Sequence, residues 1–470
     1  MLGVAFLTAF ASLLPQLPVL VGSHGLLPVA PLLDALREQM GPERYRLFPT
    51  LLWIGSGDGA LTFLAWAGAF FSLLLVLGLW PAPLVMVCWA LYLSLATACQ
   101  DFLGFQWDNL LLETAFLAMF LLGPTERLRR TRPAAPHPLA LFLLRCLLFK
   151  LMFMSGLCKL ASHDPTWRSL TALTFHYETQ PLPTPLGWWA HQSPLGFQKV
   201  SVLVMFAIEL VVPFAVFLPG RWKRAAFFPL AFLQVVIALT GNYAFFNILS
   251  LALALLVLDD DVFRRSGAAP GGAPLATRRW PRLVLIPVAA VYLLLSLVPL
   301  SGLLGLGPRT PRFLVAAYQA ADPFRTVNGY GLFAVMTTER NEIVLEGSAD
   351  GSTWKEYELP DKPGDVTRSP RWVAPHQPRL DWQMWFAALS GLSQNPWLVE
   401  LHRKLLAGEP AVLSLFAKNP FPGRPPRVVR ALLYRYRFTD VGTRRKTGAF
   451  WTRELLGAYG PELSPTGEAR

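Results

Sequence analysis

Charge is scarce in this chain. Asp, Glu, Lys and Arg make up 15% of its 470 residues, hydrophobic residues 53%, and mean hydropathy is +0.40. A soluble domain of this size carries about a quarter charged residues, so the shortage argues against an ordinary soluble enzyme. Cysteine is nearly missing as well. Cys88, Cys146 and Cys158 lie in apolar runs, Cys99 sits at the edge of one, and none follows. The C-terminal part therefore has no disulfide framework, whatever compartment it faces. No Asn-x-Ser/Thr sequon occurs, so N-glycosylation is not expected. The C-terminal part also lacks metal-binding spacing, a phosphate loop and a nucleophile elbow, and no cofactor or metal is predicted. The chain is apolar from Leu2 with no basic segment ahead of it, which reads as a first span rather than a cleaved signal.

What is present is long apolar runs, concentrated in residues 1–303. A membrane span needs roughly 20 mostly apolar residues. Nine stretches qualify approximately: Leu2–Val21, Leu61–Leu79, Leu84–Ala98, Phe102–Leu122, Leu139–Leu160, Val200–Leu218, Ala225–Leu239, Phe245–Leu258 and Leu283–Leu300. The net charge of +12 could indicate a nucleic-acid partner. Its distribution argues otherwise, because most basic residues outside the C-terminal part cluster between apolar runs. Clusters at Arg127–Arg132, Arg221–Arg224, Arg264-Arg265 and Arg278–Arg282 fall on alternate loops. The positive-inside rule puts these loops in the cytoplasm, together with the N-terminus. Everything after Leu303 is then extracytoplasmic, as is the loop at 163–196.

The periodicity changes near Asn328. Tyr330–Met336, Glu342–Glu346, Trp354–Leu359 and Val428–Phe438 read as strands, with an Asp350-Gly351 turn between the second and third. Leu380–Leu392 and Pro396–Leu406 read as helices. The expected architecture is a polytopic α-helical membrane bundle (1–303), an extracytoplasmic α+β, β-sandwich-like domain (304–440), and a frayed polar tail (441–470).

Charges at membrane depth cost about 2.5–3.5 kcal/mol each on insertion scales, so they need partners or a purpose. Glu113, Lys150 and Glu209 come out at similar depth. The expectation is a Glu113–Lys150 pair with Glu209 nearby, serving either as a structural ion pair that registers helices or as a catalytic or proton-conducting site. Asp108 is placed near the outer interface, and Arg145 and Lys159 are expected to snorkel towards the helix ends. The outer loop concentrates Trp167, His176, Tyr177, Glu178, Gln180, Trp188 and Trp189 around a stiff Pro181-Leu182-Pro183-Thr184-Pro185 segment. It reads as an interfacial strip resting on headgroups or as a docking surface facing the C-terminal domain. His376, Arg379, Asp381, Trp382 and Trp385 form a second cluster, either a core helix or a partner surface rich in anchors. Asn242 and Asn247 are expected to satisfy backbone groups where a helix breaks.

These same stretches resemble the lipase maturation factor family. The resemblance rests on Gly22-Ser23-His24-Gly25 with Pro28, Gln106-Trp107-Asp108 with Leu111-Leu112-Glu113, and His176-Tyr177-Glu178-Thr179-Gln180-Pro181-Leu182-Pro183. It continues through Thr240-Gly241-Asn242-Tyr243 with Phe246-Asn247, Asn328–Thr337, Pro375–Leu389 and Asn419-Pro420-Phe421-Pro422. It implies an endoplasmic reticulum membrane protein with a lumenal C-terminal domain that assists folding and assembly of secreted clients, especially dimeric lipases. Richness in Ala, Leu, Pro and Arg looks bacterial, in which case the inner membrane and periplasm take those places. The implied partners are the bilayer and a secreted client. The family offers no catalytic residues to carry over. A looser similarity of architecture, to membrane carboxylases, supplies the alternative: an enzyme using Glu113, Lys150 and His176 around a cavity to modify a lipid or secreted protein. It requires those three groups to converge.

Overall fold

The computed structural model describes residues 1–121, 123, 136–259, 262 and 280–464; the basic clusters at 127–132, 264–265 and 278–279 lie outside them. Among the described residues, six helices are long and apolar enough to cross a membrane: α2 (Asp58–Val76), α3 (Pro81–Ala98), α5 (Pro138–Ala161), α6 (Leu195–Ala215), α7 (Arg221–Thr240) and α9 (Arg282–Leu303). The other three stretches expected to span form shorter helices, α1 (Leu2–Leu13), α4 (Gln106–Ala118) and α8 (Phe246–Leu255). In the first of these the apolar run continues but the helix does not. Pro15 and Pro18 interrupt it, and a separate short helix follows at Leu17–Val21. In α6 the five residues Ala207–Val211 wind as a π-turn. Pro213 lacks the N–H that would bond to the Glu209 carbonyl and its ring would clash there, so the wider turn relieves a conflict written into the sequence.

The C-terminal domain contains one antiparallel sheet, ordered β2 (Trp354–Tyr357), β1 (Arg340–Ser348), β3 (Val428–Phe438), β4 (Trp451–Ala458). This corrects the sandwich expectation. Helices α11 (Arg379–Ala387) and α12 (Pro396–Ala407) pack on β1 and β3, where a sandwich would place a second sheet. α10 (Arg312–Ala321) leads into the domain from α9. The polar tail is corrected too. Trp451–Ala458 is a full strand, paired from Phe438↔Trp451 to Leu432↔Ala458. Its polar residues Thr452, Arg453 and Glu454 face water on the sheet edge, while Trp451 is buried against Phe438 at 4.2 Å between ring centroids. Period-2 patterning is weak in such a strand because only its anchor is buried.

The third correction concerns Tyr330–Met336, which forms no strand. The segment folds down into the bundle, with Tyr330 only 2% exposed. A Cβ on Gly331 would lie 2.7 Å from the Cys158 sulfur of α5, so a glycine is needed for this approach. Irregular backbone at this depth is tolerated because protein, not lipid, surrounds it.

The domain sits on one end of the bundle. It meets the C-terminal ends of α1 and α7 and the N-terminal end of α4. Arg221–Arg224 and the described residues that flank the other basic clusters lie at the opposite end. There Lys223 reaches Asp259 at 2.6 Å, Arg145 donates to the Leu256 carbonyl at 3.0 Å, and the Trp280 indole donates to the Met119 carbonyl.

Candidate functional site

The polar residues singled out in the sequence gather mainly at the junction of bundle and outer domain. Glu113, on α4, is fully buried. One carboxylate oxygen accepts from Lys150 of α5 and from the Tyr292 hydroxyl of α9 at 2.9 Å. The other accepts from the Asn328 backbone N–H (2.9 Å), the Asn328 side-chain amide (3.0 Å) and the Tyr330 hydroxyl (2.7 Å). Three helices and the inserted outer segment thus meet on one carboxylate, whose acceptor capacity of about four lone-pair sites is filled. Glu209 does not join this cluster. The π-turn of α6 aims it at Lys159, 2.9 Å away, and Lys159 is 6% exposed instead of snorkelling. A carboxylate within reach and a Ser155 carbonyl at 2.9 Å keep that ammonium inside.

Asp108 is likewise buried, contrary to its expected place at a solvated interface. It stands at the third position of α4 and reaches back to the N–H groups of Gly104 and Phe105, which caps the helix. It also accepts from the Tyr92 hydroxyl and is bridged by Arg379 of the outer domain at 3.2 and 3.4 Å. Arg379 donates further to the Phe102 carbonyl at 2.8 Å. Around this pair, Trp107 stacks on Phe105 and meets Trp382 edge-on, with centroids 4.9 and 4.8 Å apart. Its indole donates to the Gln377 side chain at 2.9 Å.

Two bundle amides hold the strap that leads into α11. Asn242 donates to the Arg371 carbonyl at 2.8 Å and accepts from the N–H of Val373 (2.7 Å) and Ala374 (2.9 Å). Gln16, in the break after α1, donates to the Gln377 carbonyl (2.8 Å) and accepts from the Arg379 N–H (2.7 Å). Ser12 adds bonds to His376 and to the Gln377 N–H, each 2.9 Å. The expectation that Asn242 serves backbone groups therefore holds, and those groups belong largely to the other domain. Asn247 instead donates to Gln234 at 3.0 Å.

The outer loop is held from above. Arg340, at the start of β1, is 1% exposed and donates to the carbonyls of Glu178 (2.7 Å), Gln180 and Pro181 (2.8 Å). Glu342 balances it at 2.7 Å and is itself shared with Lys362 at 2.8 Å. Glu178 accepts from the Phe438 N–H at 2.6 Å, and Trp385 donates to the Thr179 carbonyl at 2.8 Å. Trp167 donates to the Phe333 carbonyl at 2.9 Å.

Burial shifts several of these groups. The His176 imidazole is pushed down to about 4 by burial, with the Lys159 charge adding to it. The ring bonds to the Tyr243 hydroxyl at 3.3 Å and to neither Glu113 nor Lys150. Burial lifts the Asp381 carboxyl to about 6, helped by the Asp361 charge and opposed by the N–H groups of Lys362 and Asp361. His376 is lowered, chiefly by burial. A cavity of ≈ 250 Å³ in the outer domain is lined by Glu356, Glu358, Asp365, Val366, Lys418 and Arg453, none of them from these clusters. Among the described residues no group of three or more His, Cys, Asp and Glu side chains is placed to hold a metal.

The two clusters expected to form an outer client surface are thus mostly occupied. Trp167, Tyr177, Gln180, Trp188, Arg379, Asp381, Trp382 and Trp385 are buried; His176, Glu178 and His376 are half-buried; Trp189 alone is exposed. Side chains that bury themselves between two halves of one chain are unavailable to a partner. Sequence reasoning missed Tyr292, Arg340, Glu342 and Lys362. Tyr292 carried a signal, a hydroxyl midway along an apolar run, whereas Arg340 looks like any strand-flanking arginine.

Comparison with known proteins follows the same division. The lipase maturation factor transmembrane domain model matches residues 1–265, and the lipase maturation factor C-terminal domain model matches residues 326–461. Lipase maturation factor 2 of Gallus gallus is 37% identical, over 98% of this chain and 80% of its own length. The Homo sapiens protein of that name is also 37% identical, over 98% and 82%. Lipase maturation factor 1 of Bos taurus is 36% identical, over 98% and 86%. No solved structure matches. Two domain models in order, and relatives above 30% identity along nearly the whole chain, establish that this multi-pass membrane protein belongs to the lipase maturation factor family.

Proposed function

We propose that the chain is a membrane-anchored maturation factor that assists folding and assembly of secreted clients such as lipases. The observation that carries this reading is the full-length kinship to proteins named for lipase maturation, spanning both domains in one order. The bundle anchors the protein in the endoplasmic reticulum membrane, or in the inner membrane of a bacterium, and holds the outer domain on the lumenal or periplasmic side. With the aromatic clusters spent on the junction, the client face falls to side chains that stay exposed. Phe386, near the end of α11, and Leu389, in the turn that follows it, are 40% and 46% exposed. An apolar patch of this kind suits a partly folded client.

The enzyme reading has less support. The Glu113 carboxylate is filled by five donors and His176 stands apart from it, so the three groups do not converge as that reading requires. The test of function is complementation: cells lacking their own lipase maturation factors are given this chain, and secreted lipase activity is measured. Restored activity, with the client crosslinked to a photoreactive residue at Phe386, is expected; correct membrane insertion without any rescue would refute the proposal. Sidedness is tested separately with a cysteine at the exposed Ser352. An impermeant thiol reagent should label it from the lumenal side of sealed vesicles.

A further inference from the structure

We infer that a basic patch on the outer domain, made of Arg437, Arg444, Arg445 and Lys446 beside Trp189, binds the phosphates of anionic lipids in the adjoining leaflet. The argument starts from where the lipid ends. Phe228, Phe232, Val235 and Leu239 are exposed along one stripe of α7, spaced by four, three and four residues, so the lipid-facing surface runs up to the end of that helix. The short helix Pro185–His191 caps that end. Thr184, its N-cap, donates to the Leu239 carbonyl at 2.7 Å. Its Leu186 and Trp189 are exposed, and Leu195 and Phe197, which open α6, are exposed too. Trp372, 56% exposed, donates to the same Leu239 carbonyl at 3.4 Å. Two half-exposed tryptophans at one level mark a headgroup boundary.

The basic residues stand at that boundary. Arg444, in the short helix Val441–Thr447, lies over the rings of Trp188 (5.0 Å), Trp189 (6.0 Å) and Phe450 (4.1 Å). Arg445 and Lys446 follow it and are exposed, as is Arg437 at the end of β3. None of the four enters an ion pair among the described residues. The one acid within the segment, Asp440, is committed to capping Val441–Thr447 through Thr443 at 2.9 and 2.6 Å. Four cations stand against two engaged carboxylates, Asp440 and the half-buried Glu178, which accepts the Phe438 N–H at 2.6 Å beside Arg437; this excess, continuous with the lipid-facing stripe, matches a phosphate surface in sign and in height. Each Lys or Arg at an anionic membrane surface contributes about 1 kcal/mol, roughly a fivefold preference.

The experiment uses the full chain with equimolar phosphatidylglycerol and phosphatidylcholine, counting retained lipids by native mass spectrometry at two salt concentrations. The expected result is a preference for phosphatidylglycerol of about fivefold or more that weakens with salt. In R437Q/R445Q/K446Q it should fall to within about twofold, with tryptophan emission unchanged. A control, R424Q/R427Q, removes exposed charges from the far end of the sheet and should keep the preference. No preference in the parent chain, an unchanged preference in the triple variant, or an equal loss in the control would each overturn the inference. So would binding of polyglutamate to the chain in phosphatidylcholine nanodiscs, lost in the triple variant, without lipid preference; that outcome would assign the patch to an acidic polypeptide.

Discussion

Replacing Arg379 by Met should loosen the outer domain from the bundle more than any surface change can. The guanidinium makes three hydrogen bonds, to the Phe102 carbonyl and to both Asp108 oxygens, in a site where both partners are buried. A methionine of similar length fills the space but leaves the Asp108 carboxyl group with only the Tyr92 hydroxyl and two N–H groups as partners. Removing one member of a buried ion pair costs about 3–5 kcal/mol, because the survivor keeps its desolvation penalty without its partner. Asp108→Asn should cost a similar amount by stranding the arginine. The double variant D108N/R379M strands neither charge, so it should sit within about 2 kcal/mol of the parent and give a coupling energy of at least about 4 kcal/mol. The assay is unfolding of the full chain in mixed micelles by increasing SDS, read by tryptophan emission, since Trp107 and Trp382 pack beside the pair. Singles within about 1 kcal/mol of the parent, or strictly additive effects, would refute the view that this pair fastens the two halves.

The same logic gives three further expectations. A charge swap, Glu113→Lys with Lys150→Glu, should fail to restore stability, because two tyrosine hydroxyls and the Asn328 N–H groups need an acceptor at position 113; the neutral pair E113Q/K150M should recover more, measured in the same titration. Asn242→Ala removes five side-chain hydrogen bonds to the strap and the outer loop and should cost about 2–4 kcal/mol, with faster proteolysis near Arg371–Ala374 as the readout. Asp381 binds its proton more tightly when folded, at about 6 against about 3.9 unfolded, so its contribution is fully present below the unfolded value and is lost as pH rises through 6. Asp381→Asn, which can still accept from the N–H groups of Asp361 and Lys362, should therefore stabilise by about 2–3 kcal/mol at pH 7 and by almost nothing at pH 4; equal effects at both would sink the assignment.

The sequence disclosed the bundle because apolar run length is a local property, and it disclosed the central strands because β1 and β3 are buried and patterned. It also disclosed the Glu113–Lys150 pair, since a charge at depth has few possible partners. It did not disclose that Lys159 takes Glu209, because that depends on a π-turn shifting the register of α6 by one residue. Nor did it disclose β4, whose single buried anchor gives no period. The inserted loop at 328–336 was hidden for a different reason. Its Tyr, Phe, Val and Met residues have strand-like composition, and only the tertiary fact that Gly331 presses against Cys158 distinguishes a buried loop from a strand.

The chemistry of the junction bears on what kind of device this is. An apolar seam of the same area would hold two domains together as firmly, since buried ion pairs seldom exceed well-packed hydrophobic contacts in net stability. It would tolerate sliding and rotation. Arg379 on Asp108, Arg340 on the loop carbonyls of Glu178, Gln180 and Pro181, and Asn242 and Gln16 on strap backbone each accept one geometry, and any displacement leaves a buried polar group unpaired at a cost of about 1–3 kcal/mol. The outer domain is therefore fixed in orientation over the membrane rather than tethered. On the proposed function, an exposed apolar face is offered to a client and kept clear of the bilayer beneath it, which calls for orientation more than for affinity between the two halves.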